Sequence, residues 1–272
     1  MNRLSIWLPA AALLAAVVAA LLYWWPRAPR PQLPPSDIPP AAVTPAAPLP
    51  VAAAPSEPAI KYPIEAASAA ALPKTDDVTA ALTELLGAKA MQAFVQTDGF
   101  AQRLVTTVDN LGRPFAAARL WPVHPAPGRF TVAGEAGAQT IAAPNAERYD
   151  AFVRFVDGVD PARAVATYKK LYPQLQRAYE EQGFPGRYFN DRVVEVIDQL
   201  LATPEPTGPL EVRLTEVKGP LASTRPWVRY EYVKPEYESL ASGQKMLLRM
   251  GPAHERRLKA KLRELRQRLA GG

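Results

Sequence analysis

The feature that most constrains this chain is an uncharged apolar segment close to its N-terminus. Residues Leu4 to Trp25 form 22 consecutive positions without a charged side chain, and Tyr23, Trp24 and Trp25 close the segment. A helix of that length rises about 33 Å, close to the ~30 Å thickness of a bilayer's hydrocarbon core. Aromatic rings are enriched where a membrane helix meets the interface. The sequence therefore predicts that residues 1–25 form an N-terminal transmembrane helix, a single-pass anchor.

A cleaved signal peptide is the alternative for this segment. A signal peptide has an apolar core of about 7–15 residues, followed by a small-residue cleavage site. Here the apolar run is longer and ends in Tyr-Trp-Trp-Pro, which favours a retained anchor. Basic residues are nearly balanced across the segment, with Arg3 before it and Arg27 and Arg30 after it. The positive-inside rule therefore leaves the orientation open.

A proline- and alanine-rich stretch follows the predicted anchor. Residues 26–75 hold 14 of the 30 prolines and 14 alanines, and they show no hydrophobic periodicity. Proline removes an amide donor and biases the chain toward polyproline II. We predict a disordered Pro/Ala-rich linker that acts as a spacer. A proline-rich docking segment is the alternative.

The remaining residues, 76–272, have the pattern of a helical globular domain with a small β element, so the fold class is mainly α. Apolar residues at spacings of three and four predict the helices, and alternation predicts the strands. Pro173 predicts a kink or a restart in its helix. The predicted helices cover 76–87, 98–111, 145–156, 161–183, 190–202, 235–242, 244–250 and about 18 residues from Pro252. The predicted strands cover 210–217 and 227–233, with a short hairpin formed by 129–132 and 139–142.

Charge and missing motifs exclude several classes of function. The net charge is +6, and +5 of it lies in residues 254–272, so the body of the domain is close to neutral. A general nucleic-acid binder more often spreads its basic residues over a whole face, so we do not expect nucleic acid as a partner. The absence of cysteine excludes disulfides, thiolate nucleophiles and cysteine-ligated zinc. No nucleotide-binding or hydrolase signature occurs, so we predict no cofactor.

One cluster of polar and aromatic residues stands at a predicted helix–turn–helix. Pro185-Gly186 indicates a turn, and Asn190 or Asp191 can cap the helix that follows. Arginines there could bind an anion, and tyrosines could stack on a sugar. The simpler interpretation is a capped turn whose acidic residues face water. The candidate binding residues are Tyr179, Arg187, Tyr188, Asn190, Asp191 and Arg192.

The predicted C-terminal helix has a narrow apolar stripe and a strongly basic remainder. Leu258, Leu262, Leu265 and Leu269 form the stripe. Docking by these leucines is the simpler interpretation, and contact with anionic lipid, acidic polymer or a partner protein is the functional one. The candidate residues for contact with a partner or an anion are Arg256, Arg257, Lys259, Lys261, Arg263 and Arg266.

Candidates for catalysis are few. His124 and His254 are the two histidines, and no metal-ligand motif surrounds either, so we predict neither a metal site nor a catalytic residue. A carboxylate-dependent hydrolase acting on cell-wall polymer is the rival hypothesis. It would draw its acids from Glu180, Glu181, Asp191, Glu195 and Asp198, and sequence cannot supply the separation between carboxyl groups that such chemistry needs.

Several long runs resemble one family. They are RYFNDRVVEVIDQLLATPEPTGP (187–209), LASGQKMLLRMGPAHERRLKAKLRELR (240–266), YPQLQRAYEEQGFPG (172–186), FAQRLVTTVDNL (100–111) and ARLWPV (118–123). These runs are similar to the domain of unknown function 3014 family of bacterial membrane-anchored proteins. The resemblance implies an anchor, a variable linker and a helical domain, and it implies no catalytic residues.

These observations lead to one hypothesis about function. We expect a membrane-tethered, non-enzymatic protein whose domain binds another envelope component, a protein or a cell-wall polymer. We expect it in the bacterial inner membrane, with the domain in the periplasm. The alternatives are the hydrolase and a cytoplasmic domain that binds nucleic acid or another anion, which would need the opposite orientation.

Overall fold

The computed structural model describes residues 59–64, 75–215 and 225–271. The predicted anchor and most of the predicted linker lie outside these residues. Among the helices that the structure describes, none combines the length and the apolar character needed to cross a bilayer.

The described part of the chain is mainly helical, as the sequence predicts. Three short 3₁₀ turns accompany the α-helices, at Ala118–Leu120, Ala143–Tyr149 and Pro226–Val228. The α-helices are α1 (Thr75–Leu86), α2 (Ala88–Phe94), α3 (Phe100–Leu111), α4 (Asp150–Gly158), α5 (Pro161–Glu181), α6 (Phe189–Leu201), α7 (Pro235–Glu238), α8 (Ser242–Met250) and α9 (Pro252–Ala270).

The β element consists of two antiparallel pairs of short strands. Strand β1 (Val132–Ala133) pairs with β2 (Thr140–Ile141), and β3 (Val212–Leu214) pairs with β4 (Tyr230–Tyr232). A bridge between Thr140 and Glu211 connects the two pairs. These positions confirm the predicted hairpin and both predicted strands, although each strand is shorter than its apolar run.

The hydrophobic core lies between the helices. Helix α3 packs against α5 and α6, and α9 packs against α4, α5, α6 and α8. The largest cluster includes Val105, Leu175, Phe189 and Val194, each at most 1% exposed. Burial of one such aliphatic or aromatic side chain contributes about 1.5–3 kcal/mol. Leu262, Leu265 and Leu269 of the α9 stripe pack in this cluster and Leu258 packs in a second one, as the docked interpretation of the terminal helix predicts.

Helix α5 runs without interruption through Pro173, so the predicted restart there is wrong. Proline inside a helix costs about 3 kcal/mol, because a hydrogen bond is lost and the ring crowds the preceding turn. Here the flanking residues Leu171, Tyr172 and Leu175 are at most 4% exposed. Their burial on one helical face exceeds the cost of the proline.

The helix predicted at 145–156 begins later than expected, and the difference has a local cause. Residues Ala143–Tyr149 form a 3₁₀ turn, and α4 begins only at Asp150. The side chain of Asn145 is fully buried, accepts from Thr131 N at 3.2 Å and donates to Arg249 O at 2.9 Å. An asparagine that bonds backbone outside its own helix favours a turn over a regular helical position.

Helices α3 and α7 also depart from their predicted boundaries, and each departure has a local cause. Helix α3 begins at Phe100 rather than 98, since Gly99 has a positive φ of 59°. Helix α7 ends at Glu238 rather than 242. The carboxylate of Glu238 accepts from Tyr232 N at 2.8 Å and from Lys245 Nζ at 2.9 Å, which draws the chain toward the strands.

Buried Lys259 pairs with Glu255 of its own helix and joins α9 to the loop after α6. Lys259 and Glu255 are 2% and 1% exposed, and the ammonium lies 2.8 Å from Glu255 Oε1 in the geometry of an ion pair. The same ammonium donates to Thr203 O at 2.6 Å and to Glu205 Oε1 at 3.1 Å. Burial raises the pKa of Glu255, and the charge of Lys259 opposes that rise. The lysine is thus surrounded by three acceptors.

This arrangement predicts the effect of removing the lysine. Lys259→Met leaves the Glu255 carboxylate buried without its cation, which should lower the free energy of unfolding by about 3–5 kcal/mol. Urea denaturation measures the loss. The double variant Lys259→Met, Glu255→Met should recover most of it, and the exposed substitution Arg263→Met should change stability by less than about 0.5 kcal/mol. Equal losses in the single and double variants would contradict a buried pair.

Candidate binding site at the start of helix α6

The candidate site lies where the chain reverses between α5 and α6. The connecting turn contains Gly183 and Gly186, with φ of 97° and 70°. Positive φ is accessible to glycine at no steric cost, which permits the tight reversal. As a result, the first turn of α6 lies beside the middle of α5.

The side chain of Gln176 on α5 organises this junction. Its Oε1 accepts from Phe189 N at 2.8 Å and from the Tyr172 hydroxyl at 3.0 Å. Its Nε2 donates to Arg187 O at 2.7 Å. Helix N-termini leave backbone N–H groups without intrahelical partners, so a glutamine from the neighbouring helix caps α6 here. The predicted capping residues Asn190 and Asp191 serve other purposes.

Asn190 joins three separate parts of the chain. It is fully buried, its N–H donates to the Tyr172 hydroxyl at 3.2 Å, and its Oδ1 accepts from the Tyr168 hydroxyl at 3.3 Å. Its Nδ2 donates to Tyr62 O at 2.9 Å and to Leu269 O at 3.3 Å. One side-chain amide therefore connects α5, the end of α9 and a segment from the predicted linker.

That segment, residues 59–64, lies against the helical domain and bends at Lys61 and Tyr62. The Asp191 carboxylate accepts from Lys61 N at 3.0 Å and from Tyr62 N at 2.8 Å. The Tyr188 hydroxyl accepts from Ile64 N at 2.8 Å. Hydrogen bonds to a charged acceptor are about twice as strong as neutral ones. The site thus binds the main chain of its own linker.

Side chains of the segment add apolar contact. Ile64 is 8% exposed and belongs to the main core, and Tyr62 packs against the same core. The rings of Tyr172 and Tyr188 lie 5.3 Å apart, which holds the Tyr188 hydroxyl in place. The Asp198 carboxylate raises the pKa of the Arg266 guanidinium, and Tyr62 adds a smaller contribution.

The other candidates of this cluster have separate positions. Tyr179 is 2% exposed, and its ring stacks on Phe184 at 4.5 Å, so it is part of the core. Burial, and secondarily the charge of Asp109, raises the pKa of Tyr179. Arg192 donates to Asp109 Oδ1 at 3.0 Å and connects α6 to α3. Arg187 is exposed, and its backbone carbonyl, not its guanidinium, makes the contact with Gln176.

Four of the six candidate cations on α9 bond within the domain. The pairs are Arg257 with Asp157, Lys259 with Glu255 and Glu205, Lys261 with the Val159 carbonyl, and Arg266 with Asp198. Arg256 and Arg263 are exposed, as is Arg268. Within the described ranges no hydrogen bond or ion pair engages these three side chains. We call Arg256, Arg263 and Arg268 the arginine ridge.

The acids of the hydrolase hypothesis also have partners. Asp191 binds the linker segment and Asp198 binds Arg266. The remaining pairs are Glu180 with Gln176, Glu181 with Arg177, and Glu195 with Arg192.

Neither histidine lies in a metal-binding cluster. His254 Nε2 lies 2.8 Å from Asp150 Oδ1, and the backbone N–H of His124 donates to Phe94 O at 2.9 Å. Across residues 59–64, 75–215 and 225–271, no group of three or more potential ligands could hold a metal ion.

Sequence reasoning missed the residues that meet Asp191 and Asn190. Tyr62 is the only aromatic residue between positions 26 and 75, and that isolation was an available signal. Nothing in the sequence distinguishes Gln176, because glutamine is common on the polar faces of helices.

The geometry predicts a local effect for one substitution. Asp191→Asn preserves shape but removes the charge that accepts from Lys61 N and Tyr62 N. A hydrogen bond to a charged group contributes about 1.5–3 kcal/mol. Hydrogen exchange at these two amides should therefore accelerate at least about tenfold. Mass spectrometry of the fragment spanning 59–64 measures it. Glu195→Gln, which alters an exposed acid on the same helix, should leave that fragment unchanged.

The tyrosines of the site predict a dependence on alkaline pH. Burial raises the pKa of Tyr172 and of Tyr168 above the ordinary value near 10. Above pH ~10 the unfolded chain releases these protons while the folded chain keeps them, so stability falls as pH rises. Each such tyrosine steepens the slope by up to about 1.4 kcal/mol per pH unit. Urea denaturation between pH ~9 and ~11 should show a shallower decline for Tyr172→Phe than for Tyr237→Phe. Identical slopes would refute the assignment.

Comparison with known proteins agrees with the resemblance read from the sequence. The profile of a family described as "Protein of unknown function (DUF3014)" matches residues 100–266, which is more than half of the chain. No curated protein and no solved structure matches significantly. The matched range includes Tyr188, Asn190 and Asp191 together with nearly all of α9. This chain therefore belongs to the DUF3014 family of proteins of unknown function.

Proposed function

We propose that this chain is a membrane-tethered, non-enzymatic protein of the bacterial cell envelope whose helical domain binds another envelope component. The component is a protein or a cell-wall polymer with an acidic surface. The anchor is the apolar segment 4–25, and the domain faces the periplasm from the inner membrane. The support for the tether is the uncharged length of that segment and the proline-rich stretch that follows it.

The observation that carries the proposal is the division among the basic side chains of α9. Four of them are bonded inside the domain, whereas the arginine ridge is exposed. Arg256 and Arg263 are two helical turns apart and so lie on one side of the helix, whereas Arg268 lies about 140° around the axis from Arg263. Guanidinium groups match carboxylates and phosphates in planar, bidentate geometry. The ridge therefore suits an acidic partner.

The hydrolase and the nucleic-acid hypotheses have no comparable observation in their favour. All five acids of the first are engaged by donors of the described chain, Asp191 by the linker segment and the other four by side chains of the domain. The second would need more than the three arginines of the ridge, because the remaining cations of α9 are turned to internal partners.

A pull-down from envelope extract tests the proposal. The full chain should recover an acidic component, and Arg256→Glu, Arg263→Glu, Arg268→Glu together should lower recovery at least about tenfold, because charge reversal makes the contact repulsive. The matched control reverses three exposed cations elsewhere, Lys89→Glu, Arg119→Glu and Lys170→Glu, and should retain binding. Equal recovery by both triple variants, or turnover of a wall polymer, would contradict the proposal.

A further inference from the structure

The segment 60–64 contacts the domain as a peptide ligand contacts a receptor. Three consecutive non-proline N–H groups, those of Lys61, Tyr62 and Ile64, are bonded to side chains of the receptor surface. The Tyr62 carbonyl accepts from Asn190, and the Ile64 carbonyl accepts from the Tyr188 hydroxyl at 3.4 Å. The main chain is thus recognised along its length.

The side chains of the segment divide into inward and exposed ones. Tyr62 and Ile64 face the core, whereas Lys61 and Pro63 are exposed and Ile60 is 54% exposed. The chain bends at Lys61 and Tyr62, and the N–H groups of both residues bond the Asp191 carboxylate. Main-chain bonds supply affinity, and the two inward side chains supply specificity.

Proline at position 63 fits this mode. The Asp191 carboxylate needs N–H groups at positions 61 and 62, and Tyr188 needs one at 64. A missing N–H at position 63 leaves no receptor group unpaired. Proline also fixes φ, so less conformational freedom is lost on binding.

The receptor surface is held by contacts that do not involve the segment. Asn190 is fixed by the hydroxyls of Tyr168 and Tyr172 and by the Leu269 carbonyl. Tyr188 packs on the ring of Tyr172. These contacts hold the surface residues in place independently of the segment. It also lies inside the matched family range 100–266, whereas the segment lies outside it.

We propose that Tyr188, Asn190 and Asp191 form a recognition site for short peptides of the pattern aromatic–proline–aliphatic, and that residues 60–64 are its resident, exchangeable ligand. The segment occupies the site in the closed form of the chain. A peptide of the same pattern competes for it. The site is separate from the arginine ridge, so this inference does not depend on the proposed envelope partner.

The test uses the full chain in detergent with Tyr62→Ala and Ile64→Ala, which empty the site, and a fluorescent peptide of residues 58–66. Anisotropy should show binding to this variant at least tenfold tighter than to the wild-type chain, where the tethered resident competes at an effective concentration on the order of 1 mM. A third substitution, Asp191→Asn, should weaken binding at least tenfold. A scrambled peptide is the control.

Two results of this experiment would overturn the proposal. Absence of peptide binding to the emptied variant, with a wild-type circular dichroism spectrum and melting curve, would show that the segment serves internal packing only. Equal binding of the scrambled peptide would do the same. Should the emptied variant not fold, hydrogen exchange on the wild-type chain decides. Excess peptide should accelerate exchange at residues 61, 62 and 64, and unchanged exchange would refute the proposal.

Discussion

The fold of this domain depends on the buried side-chain amide of Asn190. All its hydrogen-bonding groups are used, by the Tyr168 hydroxyl and by the carbonyls of Tyr62 and Leu269. A buried amide left unbonded costs about 1–3 kcal/mol, so each of the three partners stabilises the arrangement. They come from α5, from the segment before α1 and from the last turn of α9. Asn190 thereby holds the segment 59–64 and the end of α9 against the same part of the domain.

The same logic governs the charged residues. In the sequence, Asp109, Arg192 and Asp198 look like ordinary solvent-exposed charges. In the structure each of them bonds across an interface between helices. Buried Lys259 does so between α9 and the loop after α6. Burial of such groups is tolerated because their partners are in place. Polar side chains in the described part of the domain mainly join helices, whereas the arginine ridge is exposed.

The sequence predicted local structure well and contacts between distant segments poorly. Periodicity in 190–202 and in the helix from Pro252 located α6 and α9, because an apolar stripe is a local property. The same stripe led to the correct docking of the four leucines. Nothing local relates Tyr62 to Asp191, which lie 129 positions apart. Asp191 was recognised as a notable residue, but its assigned role as a cap was filled by Gln176, whose side chain arrives from another helix.

Distance measurement between the two ends of the described chain tests the central claim directly. The sequence has no cysteine, so Lys61→Cys and Gln267→Cys, both at exposed positions, accept spin labels at those sites alone. If Asn190 binds the linker segment and the end of α9 at once, double electron–electron resonance spectroscopy on the full chain will give one narrow distribution of distances between the two spin labels. A broad distribution, of the kind a free proline-rich linker produces, would contradict the account.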